Sequence, residues 1–472
     1  MITRKRLALV LLLLILAGTG AYQASKPLPA GLDYQGPARA LAAPALLVDR
    51  TWQTAEGEAV LDHQIFAEAL RLIGRARRLI VVDMFLFNDS RPPGPGYRPL
   101  ASQLTDALLA RKQAVDGITI AVVTDPFNTF YGGTRSPLFE QLRAAGIPVV
   151  ETPLSPLRDS NPLWSTLWRL CCQGLGNDPD GGWLPNPIGN GKTTLRSFLA
   201  LLNFKANHRK TLIVDDGDGL RGLVTSANPH DGSSRHSNIA LAFSGAAAVD
   251  LLHTESAVLA MAGISLQLPA FADTEGREPD SQQVQVLTES RIRAAALAMI
   301  SGAPAGSELD LAMFYLSHRE LVRAFIAAHQ RGVRLRILLD ANHDAFGREK
   351  NGIPNRQVAL ELHRAGIAVR WCNTHGEQCH SKLLMRRDPD RSWQFMLGSA
   401  NFTRRNLDNL NLETNIRVWG DGATPLSREL SAHFDQLWHQ PTLSLPYQTW
   451  QDESRLRYWR YRMMEALGLS TF

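Results

Sequence analysis

The sequence has few cysteines, and their spacing excludes a common class of metal site. It has four in 472 residues, namely Cys171, Cys172, Cys372 and Cys379, and no CxxC pair. Structural zinc sites are usually built on such pairs, so we do not expect zinc. Cys372 and Cys379 could instead close a short loop as a disulfide in an exported protein.

A large charge excess is also missing. The net charge is +5, and Arg4, Lys5 and Arg6 supply three of those charges. Charge alone therefore says little about a polyanionic partner. The hydrophobic content of 44% and the charged content of 20% are typical of a folded chain, and the length suits two or three domains or one duplicated unit.

Two kinds of cofactor site have no support in the sequence. The stretch GNGKT, residues 189–193, resembles part of a phosphate loop, but Asn186 stands where the loop requires glycine. No ligand set for a metal is evident. We therefore expect no cofactor and no metal.

One apolar run stands at the N-terminus. Leu7 to Ala21 reads LALVLLLLILAGTGA and follows the three cations, which is the pattern of a secretory signal. The run is shorter than the roughly 20 residues of a membrane span, and Thr19-Gly20-Ala21 is a passable cleavage site. Residues 1–24 are therefore predicted to be a signal peptide or a membrane anchor. We expect the body to be exported to the periplasmic or extracytoplasmic side, with the cations remaining in the cytoplasm.

The chain repeats itself. NHRKTLIVDD, residues 207–216, and CHSKLLM, residues 379–385, each place a histidine two residues before a lysine, and apolar residues follow. The match continues in other pairs of segments: TSAN 225–228 with GSAN 398–401, HSNIALAF 236–243 with NLETNIRV 411–418, and upstream 79–87 with 309–316, 118–133 with 333–348, and 138–151 with 358–371.

Each repeat reads as strand, helix, strand, helix, strand and then the His-Lys strand. Helices between strands predict an α/β fold with mostly parallel sheets, covered on both faces. We therefore predict two halves, at about 45–265 and 280–440, each with its own sheet and packed about a pseudo-twofold axis.

Two segments lie outside the repeat. The first half has an insertion at 152–207 that contains several Trp and Phe residues, and it is either a lid facing lipid or a subdomain with a private core. The tail, 441–472, mixes Arg with Tyr, Trp and Met. Such a tail could touch anionic lipid or nucleic acid, but a helix docked on the body is favoured.

The two His-Lys pairs carry the chemistry. Residues i and i+2 of a strand point to one face, so His208 projects with Lys210, and His380 with Lys382. If the halves pack about a twofold axis, both pairs meet in one cleft, and one chain is sufficient for the site. One histidine would attack phosphorus and the other would act as acid and base, while the lysines stabilise the phosphodiester oxygens.

Further polar residues recur beside these pairs. Glu413 could orient one imidazole, as carboxylates do, and its counterpart in the first half is Asn238. Four more residues could bond phosphate oxygens or hold the loops: Ser226, Asn228, Ser399 and Asn401. His63, His253, His343 and His363 lack such a context and are interpreted as surface or core residues.

These motifs resemble the paired HxKxxxxD…GSxN signature of the phospholipase D superfamily, over most of residues 60–440. The resemblance implies a duplicated phospholipase D-like fold, one active site between the halves and a covalent phosphohistidine without metal. It also implies that His208 is the nucleophile and His380 the acid and base. Asp215 fits the first motif as a supporting residue, whereas the second has Arg387 there and Asp388 one position later.

The resemblance leaves three functions to weigh. A phospholipid enzyme, either a phospholipase D or a phosphatidyltransferase such as a cardiolipin synthase, is favoured by the apolar N-terminus and the insertion. It would act on phospholipid at a membrane surface, with water or an alcohol as acceptor. A nuclease, or other nucleic-acid phosphodiesterase, is the alternative, but without the three N-terminal cations the net charge is only about +2. The retained second motif argues against a lipid-binding protein without activity.

Overall fold

Two large β-sheets, one from each repeat, form the body of the protein. The computed structural model describes residues 4–90, 96–217, 219–269, 271, 282–345 and 348–470. Five features of the sequence analysis fall partly outside these residues: the start of the N-terminal leader, the first half at 91–95 and 218, the start of the second half at 280, part of the repeated segment 333–348, and the end of the tail at 471–472.

The N-terminal leader forms one long helix, α1 (Arg4–Ser25). Its segment Lys5–Ser25 is long and apolar enough, by length and composition, to cross a membrane. The helix therefore continues beyond the predicted apolar run, and it fits a signal peptide as well as an anchor. A short strand, β1 (Arg39–Ala40), follows.

The first half alternates strands and helices as its sequence pattern predicts. Up to the insertion its elements are β2 (Ala42–Gln53), β3 (Ala59–His63), α2 (Ile65–Arg75), β4 (Leu79–Met84), α3 (Leu100–Ala114), β5 (Thr119–Thr124), α4 (Pro137–Ala144) and β6 (Val149–Glu151). The insertion adds α5 (Pro162–Cys171), β7 (Leu184–Pro185), β8 (Lys192–Thr193) and α6 (Leu195–Leu201). The half then ends with β9 (Lys210–Asp216), β10 (Gly219–Thr225), β11 (Asn238–Ser244) and α7 (Ala246–Met261).

The second half repeats this order without the insertion. Its elements begin with β12 (Gln283–Thr288), α8 (Ser290–Ser301), β13 (Glu308–Met313), α9 (Arg319–Gln330), β14 (Arg334–Leu339), β15 (Asp344–Ala345), β16 (Arg348–Glu349), α10 (Asn355–Arg364) and β17 (Ala368–Cys372). They continue with β18 (Lys382–Arg387), β19 (Ser392–Gly398), α11 (Arg404–Leu407), β20 (Thr414–Asp421), α12 (Pro425–His439), β21 (Ser444–Pro446) and the tail helix α13 (Arg455–Leu467).

Several helices begin where local chemistry favours a start. Ser136 accepts a hydrogen bond from the backbone of the first turn of α4, and Asn161 does the same for α5. Thr424 forms a capping box at the start of α12. In each case a proline follows the cap, at a position where its missing N–H costs nothing.

The strand pairing corrects one prediction. The first sheet has the order β3-β2-β11-β10-β9-β4-β5-β6, with β4–β5 and β5–β6 parallel, whereas the other pairs in it are antiparallel. The second has the order β1-β12-β20-β19-β18-β13-β14-β17-β21, with β13–β14 and β14–β17 parallel. The prediction of mostly parallel sheets is therefore wrong. Of the described strands, only β4, β5 and β6 in the first half, and β13, β14 and β17 in the second, form parallel pairs, whereas each His-Lys strand and its two successors form antiparallel pairs.

The two sheets pack face to face around one apolar core. Buried residues such as Val81 and Ile213 of the first sheet lie in the same cluster as Leu383 and Phe395 of the second. Helices α7 and α12, which follow the last strand of each half, also pack into this core. Helices α2, α3 and α4 cover the outer face of the first sheet, and α8, α9 and α10 cover that of the second. The layers thus bring equivalent strand ends of both halves together.

The insertion and the tail both pack on this body. Trp164 Nε1 donates a hydrogen bond to the carbonyl of Leu199, and the Phe198 ring meets the Phe130 ring edge-on, whereas Trp183 is 64% exposed. The insertion is thus a subdomain with packed aromatics that keeps an exposed apolar surface. Helix α13 docks as the sequence favours, with Tyr461 buried.

Candidate active site

Each histidine of the two motifs lies two residues before its strand, where the halves touch. The backbone N–H of His208 donates to the carbonyl of Leu412 (2.8 Å), and that of His380 donates to the carbonyl of Ser237 (2.8 Å). Leu412 and Ser237 occupy equivalent places in the two repeats. These crossed bonds fix both histidine segments against the opposite half, which brings the two motifs into one cleft.

The opposite half also supplies the partner of each imidazole. His208 Nδ1 lies 2.8 Å from a carboxylate oxygen of Glu413, and His380 Nδ1 lies 3.1 Å from Asn238 Oδ1. An oxygen acceptor at Nδ1 holds the proton there and leaves the Nε2 lone pair for chemistry. Glu413 and Asn238 are the pair that the repeat predicts, and each contact crosses between the halves.

The serines of the motifs hold these acceptors in place. Ser399 Oγ donates to the Glu413 carboxylate, as does Asn406 Nδ2. Ser226 Oγ donates to Asn238 Oδ1 (3.0 Å). Of the two roles open to the serines, holding the site is the one that the geometry supports.

A cavity of about 220 Å³ joins the two motifs. His208, His380, Asn228 and Asn401 line it together with Phe85 and Phe314. Asn228 Oδ1 accepts a hydrogen bond from the backbone of Leu86 (3.2 Å), whereas Asn401 Oδ1 is buried and has no hydrogen-bond partner within the described residues. The cavity has room for a phosphodiester group and its neighbouring atoms.

The two lysines lie just behind the histidines. Lys210 Nζ donates to the carbonyl of His208 (2.7 Å), and Lys382 Nζ donates to that of His380 (2.6 Å). Each ammonium also lies over a phenylalanine ring, at 5.1 Å from the centroid of Phe85 and 5.2 Å from that of Phe314. Burial lowers the pKa of Lys210 to about 7 and that of Lys382 well below its usual value.

Burial also favours the neutral form of both imidazoles. It lowers the pKa of His208 to about 4, although the Glu413 carboxylate acts in the opposite direction. The pKa of His380 lies well below its usual value, because of burial and then the positive charge of Lys382. An anion bound between them would raise both values, since it favours the charged forms.

The aspartates of the two motifs lie away from the cavity and support strand ends. Asp215 accepts hydrogen bonds from the backbone N–H groups of Arg77, Arg78 and Leu79, which lead into β4. Asp388 accepts from Ser307 Oγ (2.6 Å), at the equivalent place before β13. The shift of one residue in the second motif thus leaves a carboxylate at the same corner of the fold.

One histidine of the cavity was missed from the sequence. The His236 ring lies 5.9 Å from that of His380, and His236 Nδ1 accepts from the backbone N–H of Gln378 (3.2 Å). Asn411 makes the equivalent contact in the other half, where its Oδ1 accepts a hydrogen bond from the backbone N–H of Ala206 (3.0 Å). The signal was present, since both residues begin the matched segments that hold Asn238 and Glu413.

Two cations of the cavity wall were also missed. The guanidinium of Arg405 lies 5.1 Å from the centroid of the Phe204 ring. Burial lowers the pKa of Arg405 to about 10. Lys350 lies 5.1 Å from the ring centroid of Tyr315. Both line the cavity. Neither belongs to a repeated motif, so sequence alone carried no signal for them.

A buried ion network lies under His208. Arg209, between the histidine and lysine of the first motif, is fully buried, and its guanidinium lies 2.8 Å from Glu289 and 3.6 Å from Glu255. The Glu289 carboxylate also accepts from the backbone N–H of Glu413 (3.2 Å). The network therefore links the first motif to the residue that holds its imidazole.

The cysteines pair with each other. Disulfides join Cys372 to Cys379, as the sequence allows, and Cys171 to its neighbour Cys172. Over the described ranges, no group of three or more His, Cys, Asp or Glu side chains is placed to hold a metal ion.

Comparisons with known proteins converge on one family. Residues 297–438 match the family model described as "Cardiolipin synthase, PLD-like domain". Over 136 residues, 29% of this chain, the sequence is 32% identical to the mitochondrial cardiolipin hydrolases of Mus musculus and Homo sapiens. The match covers 54% of the mouse protein and 47% of the human protein, so the chain spans about half the length of these relatives.

A solved structure extends the likeness to the whole chain. The phosphatidylserine synthase of Haemophilus influenzae Rd KW20 superimposes with a TM-score of 0.57, covering 93% of this chain and 97% of that protein. The sequence identity is 12%, so this likeness concerns the fold.

Proposed function

Because the chain belongs to the phospholipase D superfamily, we propose that it is a phospholipid phosphodiesterase or phosphatidyltransferase that works through a phosphohistidine. The observation that carries this proposal is the crossed site, in which His208 and His380 line one cavity and each is held at Nδ1 from the opposite half. The arrangement supplies two imidazoles with Nε2 available, and four cationic side chains around them.

His208 is the better nucleophile of the two. Attack of its Nε2 on phosphorus forms a P–N bond and breaks the bond to the leaving oxygen, which leaves positive charge on the imidazole. The Glu413 carboxylate offsets that charge, whereas the neutral amide of Asn238 gives His380 no such help. Burial keeps His208 unprotonated above about pH 4, so its lone pair is available.

His380 then serves as acid and base. The bound phosphodiester anion raises its pKa, so it carries a proton, which passes to the leaving alcohol oxygen as the P–O bond breaks. In the second half of the reaction, His380 takes a proton from water or an alcohol. The resulting oxygen nucleophile attacks phosphorus and releases His208.

The cations stabilise the charge on the phosphoryl oxygens. The lysines of both motifs lie within hydrogen-bond distance of the histidine carbonyls, and Arg405 and Lys350 stand on the cavity wall. Fixed positive charge in a buried site stabilises a transition state more than the same charge in water. Asn228 and Asn401 add polar groups to the cavity.

The match to the cardiolipin synthase family model and the apolar helix α1 both support a phospholipid substrate. A phospholipid would reach the cavity from a membrane surface, with the body of the protein on the extracytoplasmic side. Both motifs lie in one chain, so a monomer holds a complete site. Water as acceptor gives hydrolysis, and an alcohol gives phosphatidyl transfer.

Lipid product analysis tests this proposal. Purified protein is incubated with vesicles of mixed anionic and zwitterionic phospholipids, with glycerol as acceptor and EDTA present, and His208→Ala is the control. We expect phosphatidic acid, phosphatidylglycerol or cardiolipin to form with the wild-type protein alone. Cleavage of single-stranded nucleic acid with no lipid product would overturn the assignment in favour of a nuclease.

A further inference from the structure

Exposed apolar side chains are concentrated in two segments of the body. Among the described residues outside α1, fourteen large apolar side chains are exposed, and twelve of them lie in the insertion or in the tail from Leu456 to Leu469. Leu61 and Leu268 are the other two. Scattered exposed leucines are ordinary, whereas such a concentration marks an interaction surface.

Helix α5 of the insertion contributes one stripe. Leu163, Leu167 and Leu170 are 70%, 53% and 64% exposed, and their spacing places them on one side of the helix. Ser165 on the other side is buried. The outer face of α5 is therefore made of leucine, which is the reverse of an ordinary surface helix.

Helix α13 contributes a second stripe. Leu456, Trp459, Met463 and Leu467 are all exposed, at intervals of three or four residues. The face with Tyr461 is buried. Four arginines lie on the same helix, at positions 455, 457, 460 and 462. An apolar face beside cations is typical of helices that lie in a membrane–water interface.

Helix α5 lies next to the end of α13 and next to α1. A Cβ atom on Gly468, just after α13, would lie 2.1 Å from the carbonyl oxygen of Ser160, two residues before α5 begins. A Cβ atom on Gly20 of α1 would lie 3.0 Å from Thr166 Oγ1 in the middle of α5. The insertion therefore connects the tail to the helix that is apolar enough to cross a membrane.

Positive charge gathers where α1 ends. A cavity of about 610 Å³ lies next to the C-terminal end of α1. One acidic residue, Glu151, lines it, together with four basic residues: Lys26, Arg169, Arg196 and Lys205. Arg169 and Lys205 pair with Asp159. Lys26 and Arg196 each donate to a backbone carbonyl. A helix that leaves a bilayer ends at the level of the lipid head groups, so this charge fits an anionic membrane.

We propose that the outer faces of α5 and α13 form a docking surface for an anionic phospholipid bilayer. The bilayer is favoured over a protein partner because the surface continues from the exposed apolar side of α1. Arg404 connects the surface to the catalytic cavity, since its Nη1 donates to the carbonyl of Glu465 in α13 (3.2 Å) and Arg405 lines the cavity. Docking would present the cavity to lipid, and only this last step rests on the proposed function.

A fluorescent label that responds to apolar surroundings tests the docking. Leu167→Cys and Met463→Cys, each labelled with nitrobenzoxadiazole in the full chain, place the probe on one stripe each, and Leu61→Cys is the matched control away from both. The four natural cysteines are paired in disulfides, so the introduced thiol is the one that reacts. On vesicles containing phosphatidylglycerol, we expect emission to rise several-fold at 167 and 463 and to stay unchanged at 61.

Two results would overturn the docking surface. One is a response at 167 and 463 no larger than at 61 while the chain is bound to vesicles. The other is a rise without vesicles that grows with protein concentration, which would identify a second copy of the chain as the occupant. The readout needs no turnover, so it stands apart from a failure of the proposed lipid chemistry.

A functional measurement separates docking from catalysis. Leu167→Glu together with Met463→Glu should lower turnover of long-chain phospholipid in vesicles by about tenfold or more, because charged residues on these stripes oppose burial in a bilayer. Turnover of a short-chain, monomeric phospholipid should stay within about twofold, since neither residue touches the cavity. Equal loss on both substrates would contradict the proposal.

Discussion

The two halves of the molecule present the same His-Lys pair in two different settings. His208 is held by a carboxylate, Glu413, and His380 by an amide, Asn238. Two other features of the pairs are matched, namely the phenylalanine ring under each lysine and the backbone hydrogen bond to the opposite half. The comparison teaches that the two repeats form a nearly symmetric frame, and that in the proposed mechanism one acidic side chain divides this frame into nucleophile and acid.

The largest effect should come from removing either histidine. His208→Ala and His380→Ala should each lower turnover of a natural phospholipid by about 10³-fold or more, because each removes a reacting group. Initial rates on vesicles measure this loss.

A substrate with an activated leaving group, assayed with the same two variants, tests which histidine is the nucleophile and which is the acid. A nitrophenyl phosphodiester needs no acid, so His380→Ala should recover most of its first step while His208→Ala recovers none. Recovery in His208→Ala instead would reverse the two assignments.

Substitution of the residues that hold the imidazoles should have the next largest effect on turnover. Glu413→Gln should lower kcat by about 100-fold, because the positive charge of the phosphohistidine loses its carboxylate, and Asn238→Ala should lower it by about tenfold. Steady-state kinetics of both variants, with circular dichroism as a control for folding, gives the comparison. Equal losses would mean that the asymmetry of the two halves has no part in catalysis.

The pH profile should reflect the same asymmetry. His208 becomes nucleophilic as pH rises through its pKa of about 4, and Lys210 loses its charge as pH rises through its pKa of about 7. The value of kcat/KM should therefore be highest between these pH values and fall on both sides. Glu413 raises both pKa values, so in Glu413→Gln both limbs should move to lower pH. Unmoved limbs in that variant would contradict the assignment.

The smallest effects concern stability at the two motif aspartates. Asp215→Asn should cost about 2 kcal/mol of unfolding free energy, because a buried carboxylate loses its charge while accepting several backbone N–H groups. Asp388→Asn should cost about 1 kcal/mol, since that carboxylate is more exposed and bonds side chains. Thermal unfolding midpoints measure both. A larger loss for Asp388→Asn would show that Asp388 contributes more to the stability of the second half than Asp215 contributes to that of the first.

Local patterns predicted part of the fold and failed on another part. The repeat and the order of strands and helices followed from spacing, whereas the disulfide of Cys372 with Cys379 was only one of the pairings that the sequence left open. The direction of pairing did not, because alternation of apolar residues is the same in parallel and antiparallel strands. The sequence left two interpretations of the insertion open, and the structure has features of both: Trp164 and Phe198 pack against neighbours, whereas Trp183 and several leucines are exposed.

The sequence by itself determined which groups are available. Two histidines and two lysines recur at a fixed spacing of two, and a Ser-Ala-Asn segment follows each pair. Spacing along a strand is a local property that a sequence carries. Tertiary structure alone decided which half serves which histidine. Glu413 meets His208 and Asn238 meets His380 because the sheets pack face to face, and no spacing within one half encodes a contact with the other. For the same reason, Lys350 and Arg405 became visible as residues of the cavity wall only when the halves came together.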